Sequence, residues 1–323
     1  SVLYSFLVFI VSSWLLIHMR HFIDLTDWSG QELRDMLTLA QQLKAEWSNG
    51  GNAPLLRGKT LAMIFQKPSL RTRVSFDVGM QHLGGSAIML GPDEIGLGKR
   101  ESVADTARTL SGYVQAIMAR VFAHQDVISL ANNASVPVIN GLSDTHHPCQ
   151  AMADMLTILE HFGQIEGVQI AYVGDSNNVA VSLAQAAAYL GGHVRIASPP
   201  GYMLSEETLS GIDETAQEHG GSLAAFYDPV EAVRGAQVIY TDTWVSMGQE
   251  AETAIRLPIF QPYQVNRDLM SHADSGAIIM HCLPAHRGQE ITDDVADSAQ
   301  SVIFQQAENR MHAQKAILVT LLQ

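Results

Sequence analysis

Five consecutive residues, Ser-Leu-Arg-Thr-Arg at positions 69–73, carry the groups that bind a phosphate. They follow an apolar run at residues 61–65, which predicts a strand, and precede residues 74–80, whose apolar spacing predicts a helix. The segment would then begin a helix, where backbone N–H groups are free and the helix dipole is positive. Its hydroxyl groups and the guanidinium of Arg71 could add hydrogen bonds to phosphate oxygens. The alternative from these residues alone is an exposed arginine pair near a helix start.

The same segment resembles the Ser-Thr-Arg-Thr-Arg carbamoyl phosphate motif of the aspartate/ornithine carbamoyltransferase family. It differs at Leu70, where that family more often has Thr, so one hydroxyl group is lost while a backbone N–H remains. The resemblance implies that Ser69, Leu70, Arg71 and Thr72 bind the phosphate group through side chains or backbone. It implies a structural role for Arg73.

Further motifs of this family follow in its order and point to the carbamoyl group. Arg120 ends a predicted strand and matches the family arginine that polarises the carbonyl. His147 and Gln150 match the family's His-Pro-x-Gln, which implies that they bind the carbonyl oxygen and the carbamoyl amide. Arg310, in the predicted last helix, matches a family arginine that completes the carbonyl side of the carbamoyl phosphate site. The other residues implied in the carbamoyl phosphate site are Pro148, Cys149, Cys282 and Leu283.

Residues 241–248, Thr-Asp-Thr-Trp-Val-Ser-Met-Gly, resemble the Asp…Ser-Met-Gly loop of the ornithine-specific members. Asp242 can pair with a cationic amine, and Ser246 and Met247 would close over the bound amino acid. Asn178 matches the family residue that binds the amino acid's carboxylate. Without the resemblance, Asp242 could equally be a helix cap.

Residues 281–288, His-Cys-Leu-Pro-Ala-His-Arg-Gly, are nearly the signature of the same ornithine-specific members. Cys282 would orient the δ-ammonium of ornithine and help to deprotonate it, with support from Asp242. A thiol titrates near 8.5, closer to neutral pH than an amine at about 10.4. Leu283 would offer its carbonyl to the carbamoyl amide. The alternative is that Cys282 is an inert, buried apolar residue.

Two more positions depart from the family pattern. Gln66 stands where Glu is common, and Gly96 stands where Gln or His usually reaches into the adjacent subunit's site. This contact between subunits would then be absent, or replaced by Lys99 or Arg100.

Neither a cofactor nor a metal is expected. The segment 174–180 follows a predicted strand but lacks the G-x-G-x-x-G spacing of a dinucleotide site, which disfavours a dehydrogenase. Side chains of the adjacent His146 and His147 diverge, and no third ligand lies at metal spacing. A non-catalytic binding protein would be expected to lack Arg120, His147 or Cys282, and all three are present.

Predicted strands alternate with helices along the chain, which is typical of parallel sheets covered by helices. We expect an α/β protein with two domains, each a mainly parallel sheet covered by helices, and a C-terminal helix that returns to the first domain. The expected parts are a carbamoyl phosphate-binding domain (19–153), an ornithine-binding domain (154–305) and the C-terminal helix (306–323). The predicted strands are 61–65, 86–90, 116–121, 136–140, 168–175, 193–197, 238–241 and 277–281.

Residues 1–18 are apolar and differ from the rest of the chain. The uncharged run 2–17 is shorter than the roughly 20 residues of a membrane-spanning helix, and no Lys or Arg precedes it. We expect this extension not to be part of the functional enzyme. A membrane anchor and an added packing segment are the alternatives.

Charge and cysteine content limit the partners and the compartment. A net charge of −14 argues against binding to nucleic acid, and two cysteines give no disulfide framework, which indicates a reducing, cytoplasmic setting. The resemblance implies carbamoyl transfer from carbamoyl phosphate to the δ-amine of L-ornithine, giving L-citrulline and phosphate. It also implies a homotrimer or a multiple of trimers, with no membrane partner. An acylated ornithine or putrescine is the alternative amine.

Overall fold

The computed structural model describes residues 19–246 and 248–323. The predicted extension 1–18 and the predicted site residue Met247 therefore lie outside the described residues. Within the described ranges, no helix combines the length and apolar character that a bilayer span requires.

The first part of the chain forms a four-stranded parallel sheet in the order β2-β1-β3-β4. Its strands are β1 (Thr60–Phe65), β2 (Ser86–Leu90), β3 (Ala116–Arg120) and β4 (Val138–Leu142). Its helices are α1 (Gly30–Ser48), α2 (Leu70–His82), α3 (Pro92–Ile95), α4 (Val103–Ser111), α5 (His124–Asn133) and α6 (Pro148–Phe162).

The second part forms a five-stranded parallel sheet in the order β7-β6-β5-β8-β9. Its strands are β5 (Gln169–Val173), β6 (His193–Ala197), β7 (Ser222–Phe226), β8 (Val238–Thr241) and β9 (Ile278–His281). Its helices are α7 (Asn178–Tyr189), α8 (Glu206–Glu218), α9 (Pro229–Val233), α10 (Thr253–Phe260), α11 (Arg267–Met270) and α12 (Asp293–Ala296). Short 3₁₀ turns occupy Leu25–Asp27, Glu250–Glu252 and Gln261–Tyr263.

The last helix, α13 (Ile303–Leu322), returns to the first part of the chain and packs against α6, α1 and α2. Helix α6 also packs against α7, so it connects the two halves. The expected fold class, with two parallel sheets covered by helices and a returning C-terminal helix, is confirmed.

Side-chain caps fix the starts of the helices that matter for the site. The hydroxyl oxygen of Ser69 accepts a hydrogen bond from the N–H of Thr72 at the start of α2, and Asn177 caps α7 in the same way. Because parallel strands all end at the same edge of their sheet, the residues after β1 and β3 lie together in the first sheet, and those after β8 and β9 lie together in the second.

Candidate active site

A cleft of about 550 Å³ lies where the carboxyl ends of the two sheets face each other. Of the residues predicted for the site, most line it: Ser69, Leu70, Arg71, Thr72, Arg120, His147, Gln150, Asn178, Asp242, Ser246, Cys282, Leu283 and Arg310. Pro148 and Cys149 do not. Pro148 begins α6, and the thiol of Cys149 is fully buried and donates to the carbonyl oxygen of Asn140 at 3.3 Å.

Residues 69–72 form the turn at the start of a helix, as the sequence predicts. Ser69 lies just before α2, and its hydroxyl group contacts the backbone N–H of Thr72 at 3.2 Å and the Thr72 hydroxyl at 3.1 Å. Leu70 is the first residue of α2, and its side chain is 75% exposed at the mouth of the cleft. The first N–H groups of α2 and its positive dipole end therefore face the space that an anion would fill.

Three guanidinium groups gather on this side of the cleft. Burial and the neighbouring charges of Arg310 and Arg71 lower the pKa of Arg120 to about 10, so it is still charged at neutral pH. Among the described residues, the Nε atoms of Arg120 and Arg310 are buried and have no hydrogen-bond partner. A chain with a net charge of −14 thus concentrates uncompensated positive charge at one point, which suits a small dianion.

His147 lies within this cationic group and is almost fully buried. Burial and the charges of Arg310, Arg120 and Arg71 hold the pKa of His147 well below its ordinary value. Its imidazole is therefore neutral at physiological pH, and a neutral ring can donate one N–H to a carbonyl oxygen.

On the opposite wall, Asp242 and Cys282 form a direct pair. The thiol of Cys282 donates to Asp242 Oδ1 at 3.0 Å, and Oδ1 also accepts from the N–H of Thr243 at 2.8 Å. Asn177 Nδ2 donates to Asp242 Oδ2 at 2.8 Å. These three donors fix the orientation of a buried carboxylate that faces the cleft.

The expectation of an ordinary thiol pKa for Cys282 is wrong. Burial, together with the charge of Asp242 and the hydrogen bond to it, raises the pKa of Cys282 well above its ordinary value. Cys282 is therefore a protonated thiol at neutral pH, which can orient a ligand but does not begin the reaction as a thiolate base.

Asp242, His281 and Cys282 also place three possible metal-ligand atoms within 4.8 Å of one another. His281 is not free to act as a ligand, because its Nδ1 accepts the N–H of Leu283 at 2.8 Å and its Nε2 lies 3.0 Å from Glu290 Oε1. Both ring nitrogens are thus occupied by the protein, and the donor set does not fit a metal centre.

Several residues that line the cleft are missed by sequence reasoning. Lys67 lies two residues before the phosphate turn, with its Nζ 4.4 Å from the ring centre of Phe122. Asn177 does not line the cleft itself but supports Asp242, while the predicted Asn178 donates its Nδ2 to the carbonyl oxygen of Ser143 at 2.6 Å. Glu250 lines the cleft beyond the Ser-Met-Gly loop. Closeness in sequence to a recognised motif is the one signal that could have found these residues.

The two departures from the family pattern differ in position. Gln66 links the end of β1 to the segment after β3. Its Oε1 accepts from the N–H of Phe122 at 2.8 Å, and its Nε2 donates to Asp126 in α5 at 3.3 Å. Gly96 has a φ of +54° after α3, and it does not line the cleft of its own chain, nor do Lys99 and Arg100.

Comparison with known proteins identifies relatives of the whole described chain. Residues 20–160 match the family model "Aspartate/ornithine carbamoyltransferase, carbamoyl-P binding domain", and residues 166–321 match "Aspartate/ornithine carbamoyltransferase, Asp/Orn binding domain". The ornithine carbamoyltransferase of Pyrococcus abyssi is 55% identical over 303 residues, 94% of this chain and 96% of that protein.

Solved structures give the same result. The ornithine carbamoyltransferase from Pyrococcus furiosus has a TM-score of 0.92 at 54% identity, covering 94% of this chain and 97% of that one. The anabolic ornithine carbamoyltransferase from Campylobacter jejuni has a TM-score of 0.89 at 37% identity, with coverage of 94% and 99%.

Proposed function

The chain belongs to the aspartate/ornithine carbamoyltransferase family, and from this we infer that it is an ornithine carbamoyltransferase. It transfers the carbamoyl group of carbamoyl phosphate to the δ-amine of L-ornithine and yields L-citrulline and phosphate. The observation that carries this proposal is one cleft with a cluster of three arginines on one wall and the buried Asp242–Cys282 pair on the other.

We propose that the cationic wall binds carbamoyl phosphate. The start of α2 supplies N–H groups to the phosphate, and Ser69, Arg71 and Thr72 add side-chain contacts. Arg120, His147 and Arg310 surround the carbonyl oxygen, where negative charge develops as the tetrahedral intermediate forms. Further contacts would come from the Leu70 N–H, the Gln150 side chain, the Leu283 carbonyl, and the backbone of Pro148 and Cys149.

The opposite wall would bind the amine. The carboxylate of Asp242 attracts the δ-ammonium group, and the Cys282 thiol holds that carboxylate in place. One proton must leave the nitrogen before attack, since an ammonium has no lone pair, and the Asp242 carboxylate accepts it because the Cys282 thiol is already protonated. The nitrogen then bonds to the carbonyl carbon, the C–O bond to phosphate breaks, and phosphate leaves with the bonding electrons. A second proton passes from the nitrogen to an oxygen of the departing phosphate.

Selection of ornithine would depend on its α-carbon end. Asn178 and Ser246 line the same cleft, and we propose that these two residues and Met247 bind the α-carboxylate and α-amino groups. Putrescine lacks the carboxylate, and acetylornithine lacks the charged α-amino group. This arrangement therefore favours ornithine over both.

We further propose that the first domain comprises residues 19–153 and the second domain residues 154–305, so that the boundary falls within α6. Residues 306–323 then pack against the first domain. Family membership supports a homotrimer or a multiple of trimers, in which the usual contact at Gly96 would be absent or replaced by Lys99 or Arg100. Two unpaired cysteine thiols support a cytoplasmic location.

Arg71→Ala is expected to weaken carbamoyl phosphate binding by about 10- to 150-fold, since a hydrogen bond to a charged group contributes about 1.5–3 kcal/mol. Calorimetric titration with carbamoyl phosphate measures this. Arg73→Ala, two residues further along α2 and outside the cleft, is the control. Unchanged affinity in Arg71→Ala would remove this residue from the site.

Leu70→Thr is expected to tighten carbamoyl phosphate binding by about 2- to 10-fold, because it adds a hydroxyl donor worth about 0.5–1.5 kcal/mol. Leu70→Val has the same shape as Thr without the hydroxyl group and should not tighten binding. Equal affinities of the Thr and Val variants would show that position 70 contributes through its backbone alone.

The proposed function is tested by incubating the protein with carbamoyl phosphate and ornithine. Citrulline and phosphate should form in equal amounts, whereas omission of ornithine should leave only the slow breakdown of carbamoyl phosphate. Phosphate release without citrulline would contradict the proposal.

A further inference from the structure

Asp154 is a fully buried carboxyl group on α6, one helical turn after Gln150, and it does not line the cleft. Its Oδ1 accepts from Gln150 Nε2 at 2.8 Å and from Gln306 Nε2 at 2.7 Å. Its Oδ2 accepts from the hydroxyl group of Tyr240 at 3.1 Å. Three buried donors from three different elements therefore converge on one side chain that sequence reasoning did not select.

The contact with Gln150 fixes which way its amide faces. A guanidinium donates only to the amide oxygen, which leaves the amide NH₂ of Gln150 to donate to Asp154, whose pKa is raised by burial to about 7. Gln150 Oε1 accepts from Arg310 NH1 at 2.6 Å, so Asp154 and Arg310 together allow one amide orientation. That orientation keeps a lone pair of Oε1 available for the NH₂ of a carbamoyl group.

The contacts with Gln306 and Tyr240 reach the opposite wall. Gln306 Oε1 accepts from the backbone N–H of His281 at 2.8 Å, immediately before Cys282. Tyr240 lies on β8, two residues before Asp242, and its hydroxyl group also accepts from Gln306 Nε2 at 3.1 Å. The same carboxyl group thus holds the ends of β8 and β9, which carry the two residues of the amine site.

We propose that Asp154 is a positioning residue for carbamoyl transfer. It orients Gln150 on the carbamoyl phosphate side, and through Gln306 and Tyr240 it sets the relative position of Asp242 and Cys282. This inference rests on the proposed function. A buried carboxyl group that supports residues contacting the substrate acts by restricting their geometry.

The test compares Asp154→Leu with Asp154→Asn. Leu has the same branched shape but no oxygen, so the Gln150 NH₂ loses its acceptor and the Gln306 NH₂ keeps only the Tyr240 hydroxyl; we therefore expect carbamoyl phosphate affinity and kcat each to fall by on the order of tenfold. Asn keeps an oxygen for the two amides and can donate its NH₂ to Tyr240, so both values should stay within about threefold of the parent.

Thr157→Val is the matched control, because Thr157 is also buried on α6 and its hydroxyl oxygen accepts from Asn309 on α13 at 3.0 Å. It should lower the melting temperature without changing affinity or kcat. Parent-like affinity and kcat in Asp154→Leu, or equal loss in the Asn and Leu variants, would overturn the proposal.

If Asp154→Leu does not fold, Gln306→Leu supplies the second test. It should raise the KM for ornithine by on the order of tenfold while carbamoyl phosphate affinity stays within about threefold. A parent-like KM would overturn the proposal. Affinity for carbamoyl phosphate is measured without any amine, so an error in the assigned amine would leave this part of the test intact.

Discussion

Arg120→Leu is expected to lower kcat by about 100- to 1000-fold, the usual effect of removing one donor that stabilises an oxyanion. Arg120 ends β3 at the edge of the sheet that faces the cleft, and its side chain is only 7% exposed. The same change relieves repulsion with Arg71 and Arg310, so the melting temperature should remain equal or rise. Steady-state kinetics and thermal unfolding on one preparation measure both effects.

Arg195→Leu is the matched control for Arg120. Arg195 also lies on an interior strand, β6, and it has a buried Nε without a partner among the described residues, but it does not line the cleft. Its activity should equal that of the parent. An Arg120→Leu protein with kcat within tenfold of the parent would contradict the assigned role of the arginine.

Cys282→Ala is expected to lower kcat/KM for ornithine by about 10- to 100-fold, because it removes a hydrogen bond to the charged group of Asp242. Carbamoyl phosphate affinity should change little. Cys282→Ser keeps a hydroxyl donor at this position and should recover most of the lost activity, since the raised pKa of the thiol indicates an orienting role.

The two Cys282 variants separate orientation from proton transfer. A Ser variant as inactive as the Ala variant, with an altered pH profile, would mean that sulfur carries the proton. Two variants with parent-like kinetics would make Cys282 a packed thiol without a role.

The strands that deliver the main site residues were predictable, because each is a short apolar run followed by a polar motif. Edge strand β7 was not predicted. It pairs with β6 alone, and its Ser-Leu-Ala-Ala-Phe sequence is only partly buried and contains no β-branched residue.

Features that depend on distant contacts could not be read from the sequence. The pKa of Cys282 is raised by burial and then by Asp242, which lies 40 residues earlier in the chain. The hydrogen bond between Asp154 and Gln306 joins residues 152 positions apart. Sequence motifs therefore identified many of the residues that face the cleft, whereas the protonation and support of these residues depended on how the two sheets and α13 pack together.

The central claim, carbamoyl transfer to ornithine, is tested most directly by comparing kcat/KM for four amines: ornithine, acetylornithine, putrescine and aspartate. The account predicts that kcat/KM for ornithine exceeds kcat/KM for each of the other amines by about 100-fold or more. The reason is that the cleft contains the buried carboxylate of Asp242 for the δ-ammonium group, and Asn178 and Ser246 are proposed to bind the α-carboxylate and α-amino groups. A higher kcat/KM for acetylornithine, putrescine or aspartate than for ornithine would contradict it.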